Sequence, residues 1–424
     1  MGSKEAHSAH RRVEWHVMSH LAATDPSQTV RHTPEPARVV YSTASFLLLG
    51  SLTALLGVLL PLWFLSLSID TVAAGECFLA FNLGILAGTI GWARGLVNRE
   101  AGVRNFLVSS ALLAAAALVG LGAATHPIWL LPPLFALGTA VGALATGASW
   151  LVSGALLQGR APEVLNLAGV AFGAGTIGVC ILAWALNGRF HWSVTVRLLA
   201  IVPFVLAWSV YRAKVFRYMT LSAAPVRLTW RTTASPMAIL LALALFLQSA
   251  NQWAIGGWLA LYLPRKFGMT ASLSIMVLAV FWLGLTCGRV WGTRLPPAEE
   301  RMRSLFWATL AAVVGCLFLL KTVEASGTFA GALLLGMAIG LIHPLTLGLV
   351  GSRYPYYHPG LLNGFFSLSL MGGLLGPWLI AQLAEPLGIE IIIWLTLGSS
   401  VLVYLLLAAI FVESRLTAHS QRPA

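Results

Sequence analysis

Arg212-Ala-Lys-Val-Phe-Arg-Tyr-Met-Thr-Leu-Ser-Ala-Ala-Pro-Val-Arg-Leu-Thr-Trp-Arg-Thr-Thr-Ala-Ser-Pro236 divides the chain. It carries five cations, Arg212, Lys214, Arg217, Arg227 and Arg231, and no acid. Long apolar regions flank it on both sides, broken only by short polar gaps. It is the longest internal break, and basic residues are retained on the cytoplasmic side of a membrane. The stretch reads as a basic cytoplasmic linker over 213–236. It joins two membrane-embedded halves, 41–212 and 237–412, with polar tails at 1–40 and 413–424.

Composition points the same way. Of 424 residues, 58% are hydrophobic and only 9% charged. A soluble fold of this size has too little interior to hide so much apolar surface. Lipid is therefore the solvent for most of the chain, and about 20 residues per spanning helix allow about twelve spans. The net charge of +12 sits in loops, which suits membrane orientation and anionic headgroups rather than nucleic acid. The four cysteines, Cys77, Cys180, Cys287 and Cys316, fall in apolar segments and read as buried thiols. No Cys/His spacing suggests zinc, so neither metal nor cofactor is expected. Residues 1–38 are polar, with no apolar core of a signal peptide. Five histidines in that tail read as part of a disordered segment, and Met18 is an alternative start.

Spans are expected at 41–67, 73–95, 105–125, 128–157, 164–187 and 192–212, then at 237–263, 272–293, 304–321, 327–350, 360–383 and 388–412. The runs are too long and too evenly apolar for the alternation of a barrel strand. The fold class is thus all-α, with two pseudo-symmetric six-helix bundles. With both termini cytoplasmic, only Arg189, Arg197, Arg265, Lys266 and Lys321 of the 26 cations fall outside. That bias predicts a multi-pass protein of the cell's inner (plasma) membrane with cytoplasmic tails. The halves also echo each other: Leu165-Asn166 opens a glycine-rich run in the fifth span and Leu362-Asn363 another in the eleventh. Parallel six-span repeats are a transporter plan, with the solute held between the halves near the midplane.

Gly284, Gly288 and Gly292 stand at every fourth position, baring one helix face to close approach. Arg289 follows at the cytoplasmic end, as a snorkelling cation or as part of a gate that opens when the halves rock.

Several motifs together resemble the fucose:proton symporter branch of the major facilitator superfamily. They are Gln252-Trp-Ala-Ile-Gly-Gly-Trp258 with Phe281-Trp-Leu-Gly-Leu-Thr-Cys-Gly288-Arg289, Leu341-Ile-His343-Pro344, Leu165-Asn166 with Gly173 and Gly178, and Gly57-Val-Leu-Leu-Pro61. The resemblance spans most of 41–412 and implies alternating access around a central cavity. The loop signature of the superfamily is degenerate here: Gly91-Trp-Ala-Arg94-Gly-Leu-Val-Asn98-Arg99 keeps glycines and cations, with Arg94 in a gating place, but has no Asp. The two proton-coupling carboxylates of the fucose permease fall on Gly57 and Ala145, and the acid many relatives carry in the seventh helix on Gln252.

All 14 acids lie in tails, loops or span ends, with Glu76 the deepest. A carboxylate at mid-membrane is costly and normally functional, so this distribution argues against a carboxylate proton relay. His343 is the titratable group left at depth, and reads as a solute ligand, as a proton carrier, or as a neutral ring bonded between helices. The deep amides are Asn82, Asn166, Gln248, Asn251, Gln252 and Asn363. Amides donate and accept hydrogen bonds and suit a neutral polyol, or they join helices. The resemblance singles out Asn166, since a helix-five Asn contacts sugar in the fucose permease. Trp258 lies beside the amides and offers a ring for stacking. A bend at Gly256-Gly257 would open the seventh helix there.

The sequence therefore predicts a membrane transporter, not an enzyme. It would move a small neutral, sugar-like solute without a carboxylate relay, in a lipid bilayer and as a monomer. The alternatives are an exporter of amphipathic or hydrophobic compounds and a transporter-like sensor. The sensor would be marked by an added soluble domain, which the sequence does not show.

Overall fold

In lipid no water is available to satisfy backbone N–H and C=O groups, so each apolar run must close its hydrogen bonds within itself and become a helix. The computed structural model describes residues 36–97, 103–156, 161–213, 236–294, 298–322, 324–353 and 359–420. The first half comprises α1 (Pro36–Ser66), α2 (Thr71–Val97), α3 (Val103–Ala123), α4 (Leu131–Leu156), α5 (Ala161–Leu186) and α6 (Trp192–Arg212). The second comprises α7 (Pro236–Phe267), α8 (Ala271–Thr293), α9 (Ala298–Lys321), α10 (Ala325–Arg353), α11 (Pro359–Leu387) and α12 (Ile391–Ser420). Among the described residues, 11 segments are long and apolar enough to span a membrane, and α11 supplies the twelfth helix. The linker expected at 213–236 lies, but for its end residues, outside the described residues, as does most of the N-terminal tail, whereas residues 413–420 of the expected C-terminal tail continue α12.

Two local departures have simple causes. The fourth span begins with a 3-10 turn, Pro127–Leu130, before α4 starts at Leu131. The sixth is cut at Ala200 into Trp192–Leu199 and Ile201–Arg212. Pro203 has no N–H to give the Leu199 carbonyl. The chain turns there, and the Ala200 N–H reaches the carbonyls of Arg197 and Leu198 instead.

Burial sorts the helices. The most apolar window of α1 is 78% buried inside the protein, that of α6 or α12 only 33%. So α1 runs through the interior, while α6 and α12 turn Phe204, Trp208, Trp394 and Leu405 to lipid. Short polar side chains in the spans mostly bond back to their own helix, as Ser45 to the Tyr41 carbonyl and Thr146 to that of Gly142. Such bonds satisfy a hydroxyl in lipid without any partner helix.

The internal repeat shows itself as geometry. Gly84 and Gly88 of α2 lie against the carbonyls of Phe135 and Thr139 in α4; Gly138 and Gly142 return the contact on Phe81 and Ile85. In the second half Gly284 and Gly288 of α8 lie against Leu333 and Met337 of α10, and Gly336 and Gly340 against Phe281 and Leu285. The turns match as well. Ser68 (φ 51°) corresponds to Gly268 (φ 67°), and Gly188 (φ 85°) to Gly388 (φ 83°). Positions 68, 84, 88 and 188 thus recur as 268, 284, 288 and 388, a constant offset of 200.

The apolar core follows this plan. One large cluster runs through both halves, from Leu48 to Ile393. A second, separate cluster holds Leu241, Leu305, Ile342 and Leu407 at the end of the second half that carries the termini.

Candidate functional site at the waist between the halves

Helices alternate in direction, so both termini share one end. The turns at 67–70, 187–191, 268–270 and 388–390 share the other, here the loop end. Contacts between the halves gather, among the described residues, between the membrane middle and the loop end. Gly57 of α1 meets the Gly256 carbonyl of α7, and Gly75 of α2 meets Ala381 of α11. Asn82 Nδ2 donates to the Leu374 carbonyl at 2.7 Å, and Phe78 packs on Trp258 with ring centroids 5.3 Å apart. Asn187 Nδ2 donates to Ser272 Oγ at 2.8 Å. Arg265 closes the loop end: its guanidinium lies 3.9 Å from the centre of the Phe64 ring and donates to Thr71 Oγ1 at 3.2 Å. Beside it, Lys266 and Glu390 form an ion pair inside the second half.

Three of the four amides whose side chains are described hold helices together here. Asn82 is the bridge just described. Gln248 Nε2 donates to the Ile339 carbonyl of α10 at 2.9 Å. Asn251 Nδ2 reaches Ser400 Oγ of α12 at 3.5 Å. Trp258 is fully buried, with its indole N–H on the Pro377 carbonyl at 3.0 Å, so its ring is a packing element in this conformation. The helix does not open at Gly256-Gly257: α7 is continuous there, and both glycines admit close neighbours, Gly256 admitting Trp282 and Gly257 admitting Phe78. The side chains of Asn166, Asn363 and Arg94 lie outside the described ones.

Gln252 differs from these. It is central in α7, and its Oε1 accepts from Arg289 Nη2 at 2.9 Å. Helical side chains lean toward the N-terminus of their helix. Because α8 runs from the loop end toward the terminal end, Arg289 leans back to mid-membrane. It therefore does not snorkel to the membrane face at the terminal end, correcting that alternative. Its guanidinium lies 5.9 Å from the centre of the Phe172 ring, which belongs to α5 of the other half. One turn away on α8, Thr286 approaches Gly173 of α5. His343 of α10 is half-buried and within electrostatic reach of Arg289. Pro344 follows it and leaves the Gly340 carbonyl without a helical N–H. Thus α5, α7, α8 and α10 converge on one guanidinium.

The gate expected at Gly288 and Gly292 is also reassigned. Gly288 lies on the Met337 carbonyl and Gly292 on Pro344, both in α10. These contacts are internal to one bundle and do not part when the halves rock. Gly57, Gly75 and Gly173 make close approaches between the halves. Glu76 is exposed near the loop end, away from the waist. Cys77, Cys180 and Cys316 are buried as expected, whereas Cys287 is exposed. Sequence reasoning passed over Phe172, Thr286 and the closing role of Arg265. The signal for Arg265 was its place beside Lys266 and Pro264, where the cations were read only as loop charge.

Among solved structures, a bacterial homologue of the human lysosomal transporter Spinster, in an inward-facing and occupied conformation, has a similar fold. The TM-score is 0.67 over 89% of this chain and 96% of that one, at 14% identity, which carries the fold alone. No curated protein sequence matches the chain. The Major Facilitator Superfamily profile matches residues 42–371, so the chain belongs to that superfamily.

Proposed function

We propose that the protein is a secondary transporter that moves a small polar solute through the waist by alternating access, without a carboxylate relay. One observation supports this most. The halves touch through close approaches at small residues, the Phe78–Trp258 contact and single side-chain bonds on one side of the waist, whereas the glycine contacts of α2 with α4 and of α8 with α10 make each half rigid within itself. Such an interface parts without breaking a helix. With the termini in the cytoplasm, as the charge bias predicts, the closed loop end is the outer one.

A sugar-like solute is the reading favoured by Gln252 and by the amide positions Asn166 and Asn363, together with the resemblance to the fucose permease. An amphipathic exporter is the second reading, favoured by the aromatic side chains Phe172, Trp253 and Trp282 around the waist; the rings of Trp253 and Trp282 lie 5.9 Å apart. Uptake of labelled sugars by proteoliposomes, set against dye efflux, separates the two.

Alternation itself is tested without knowing the solute. Spin labels on Asp70→Cys and Leu387→Cys, in a background with Cys287 replaced by Ser, report the loop-end distance between halves. Two distance populations, one with the loop end closed and one with it open, are expected in the ligand-free protein. A single distance under every condition sinks the transporter reading.

A further inference from the structure

Packing gives no reason for an arginine at 289 or a histidine at 343, and the internal repeat supplies the control. At the constant offset, Arg289 corresponds to Thr89 of α2. Thr89 sits on the same carbonyl–glycine ladder and satisfies its hydroxyl on the Ile85 carbonyl of its own helix at 2.8 Å. Aligning Gly142 of α4 with Gly340 of α10 makes Ala145 the counterpart of His343. The same helix pair thus assembles with a threonine and an alanine in one half. The guanidinium and the imidazole are an addition to the other half, at the waist.

The addition is electrically one-sided. The ion pair of Lys266 with Glu390 lies at the loop end, and no carboxylate among the described side chains pairs with Arg289. The acid nearest it along α5, Glu163, lies more than two helical turns from Phe172 toward the terminal end. A guanidinium has five N–H donors. Here its one acceptor among the described residues is Gln252 Oε1, and the Phe172 ring covers it from the other half. A neutral oxygen orients the group and leaves its charge in place. A second donor stands on the same face of α8: the indole Nε1 of Trp282 is buried, with the residue 1% exposed, and has no acceptor. Charged groups in a membrane interior are paired or lie on a pathway. A surplus of donors with a net positive charge selects a partner that is rich in acceptors and negative.

We propose that Arg289, steered by Gln252, seats a carboxylate or phosphate of the transported solute, with His343 at the edge of the seat. The word "transported" rests on the reading above; the anion seat does not. Arg289 is then a binding residue and Gln252 a positioning residue. Arginine fits because its planar fork matches both anions, which a lysine ammonium matches only as a point charge.

The test uses the purified full-length protein in nanodiscs of neutral lipid. Thermal shift and tryptophan quenching are measured with matched pairs that differ in charge: glucose against glucuronate and glucose 6-phosphate, and monoacylglycerol against lysophosphatidate. Inorganic phosphate is a sixth probe. Either charged family binding at least tenfold more tightly than its neutral mate is the expected result. The first pair succeeding assigns a soluble anion, the second a lipid-like one. Arg289→Gln is expected to weaken that binding at least tenfold, while Arg289→Lys keeps part of it. Both variants are checked by their ligand-free melting, and Arg289→Gln is expected to melt no lower than wild type, since it removes a desolvated cation. Equal binding of neutral and charged mates, unchanged binding in Arg289→Gln, or no binding by any anion overturns the proposal. If the halves alternate and no anion binds, the seat fails and the transporter stands. If an anion binds and the halves never alternate, the reverse holds.

Discussion

At Ser68 the backbone turns from α1 into α2 with φ 51°, in the left-handed region where a Cβ is crowded by the following carbonyl. The internal repeat has already placed glycine at the matching turn, Gly268. Ser68→Gly is therefore expected to raise stability by about 0.5–1 kcal/mol, the gain from relieved strain exceeding the entropy lost by glycine. A higher melting temperature with unchanged solute uptake checks it, and a lower one counts against the strain argument. Single residues were also where the sequence was hardest to read. Asn82, Gln248, Asn251 and Trp258 were all legible as deep polar groups. Nothing in one chain says whether such a group faces a passage or another helix. Interhelical bonds of this kind are worth about 0.6 kcal/mol on average and at most about 1.7, so they place a helix without marking a function.

Helix pairs were more legible, because a glycine at every fourth position has a direct geometric meaning. Gly284 and Gly288 declared a close approach; the partner they approach was not declared. The neighbour is α10 in the same half, and the identical spacing of Gly84 and Gly88 was the overlooked sign that this contact belongs to each repeat. Two leucine substitutions separate the two kinds of contact. Gly288→Leu drives a side chain into the Met337 carbonyl, inside a bundle. It is expected to cost several kcal/mol of overpacking, at the upper end of about 1–3 or beyond, and to lower the yield of folded protein. Gly57→Leu strikes the Gly256 carbonyl across the waist. Each half keeps its own packing, so the protein is expected to fold, to hold its loop end open, and to lose uptake more than tenfold. Size-exclusion profiles beside spin-label distances distinguish them. A Gly57→Leu protein that fails to fold, or that closes normally, contradicts the division into rigid halves.

Over the whole molecule, the twelve spans, their alternation and the two bundles followed from long apolar runs and from the short polar gaps between them. The break at Ala200 did not, since a proline near a helix start and one that interrupts a helix look alike in sequence. Nor did the direction of Arg289. Its position near the end of α8 suggested an exit to the cytoplasm, and only the polarity of the helix and the bond to Gln252 turn it inward. That lone guanidinium has an electrical consequence. A carrier open to one compartment at a time concentrates the transmembrane voltage across its closed side. A fixed charge at the waist then passes from one compartment's potential to the other's whenever the halves rock, without itself travelling far. Complete transfer of one charge is worth about 2.3 kcal/mol per 100 mV. The vacant carrier should thus return at a rate set by voltage, whereas a carrier loaded with a monoanion should cross in electrical silence. Imposed potassium diffusion potentials across proteoliposomes would show that split in the wild type and its loss in Arg289→Gln.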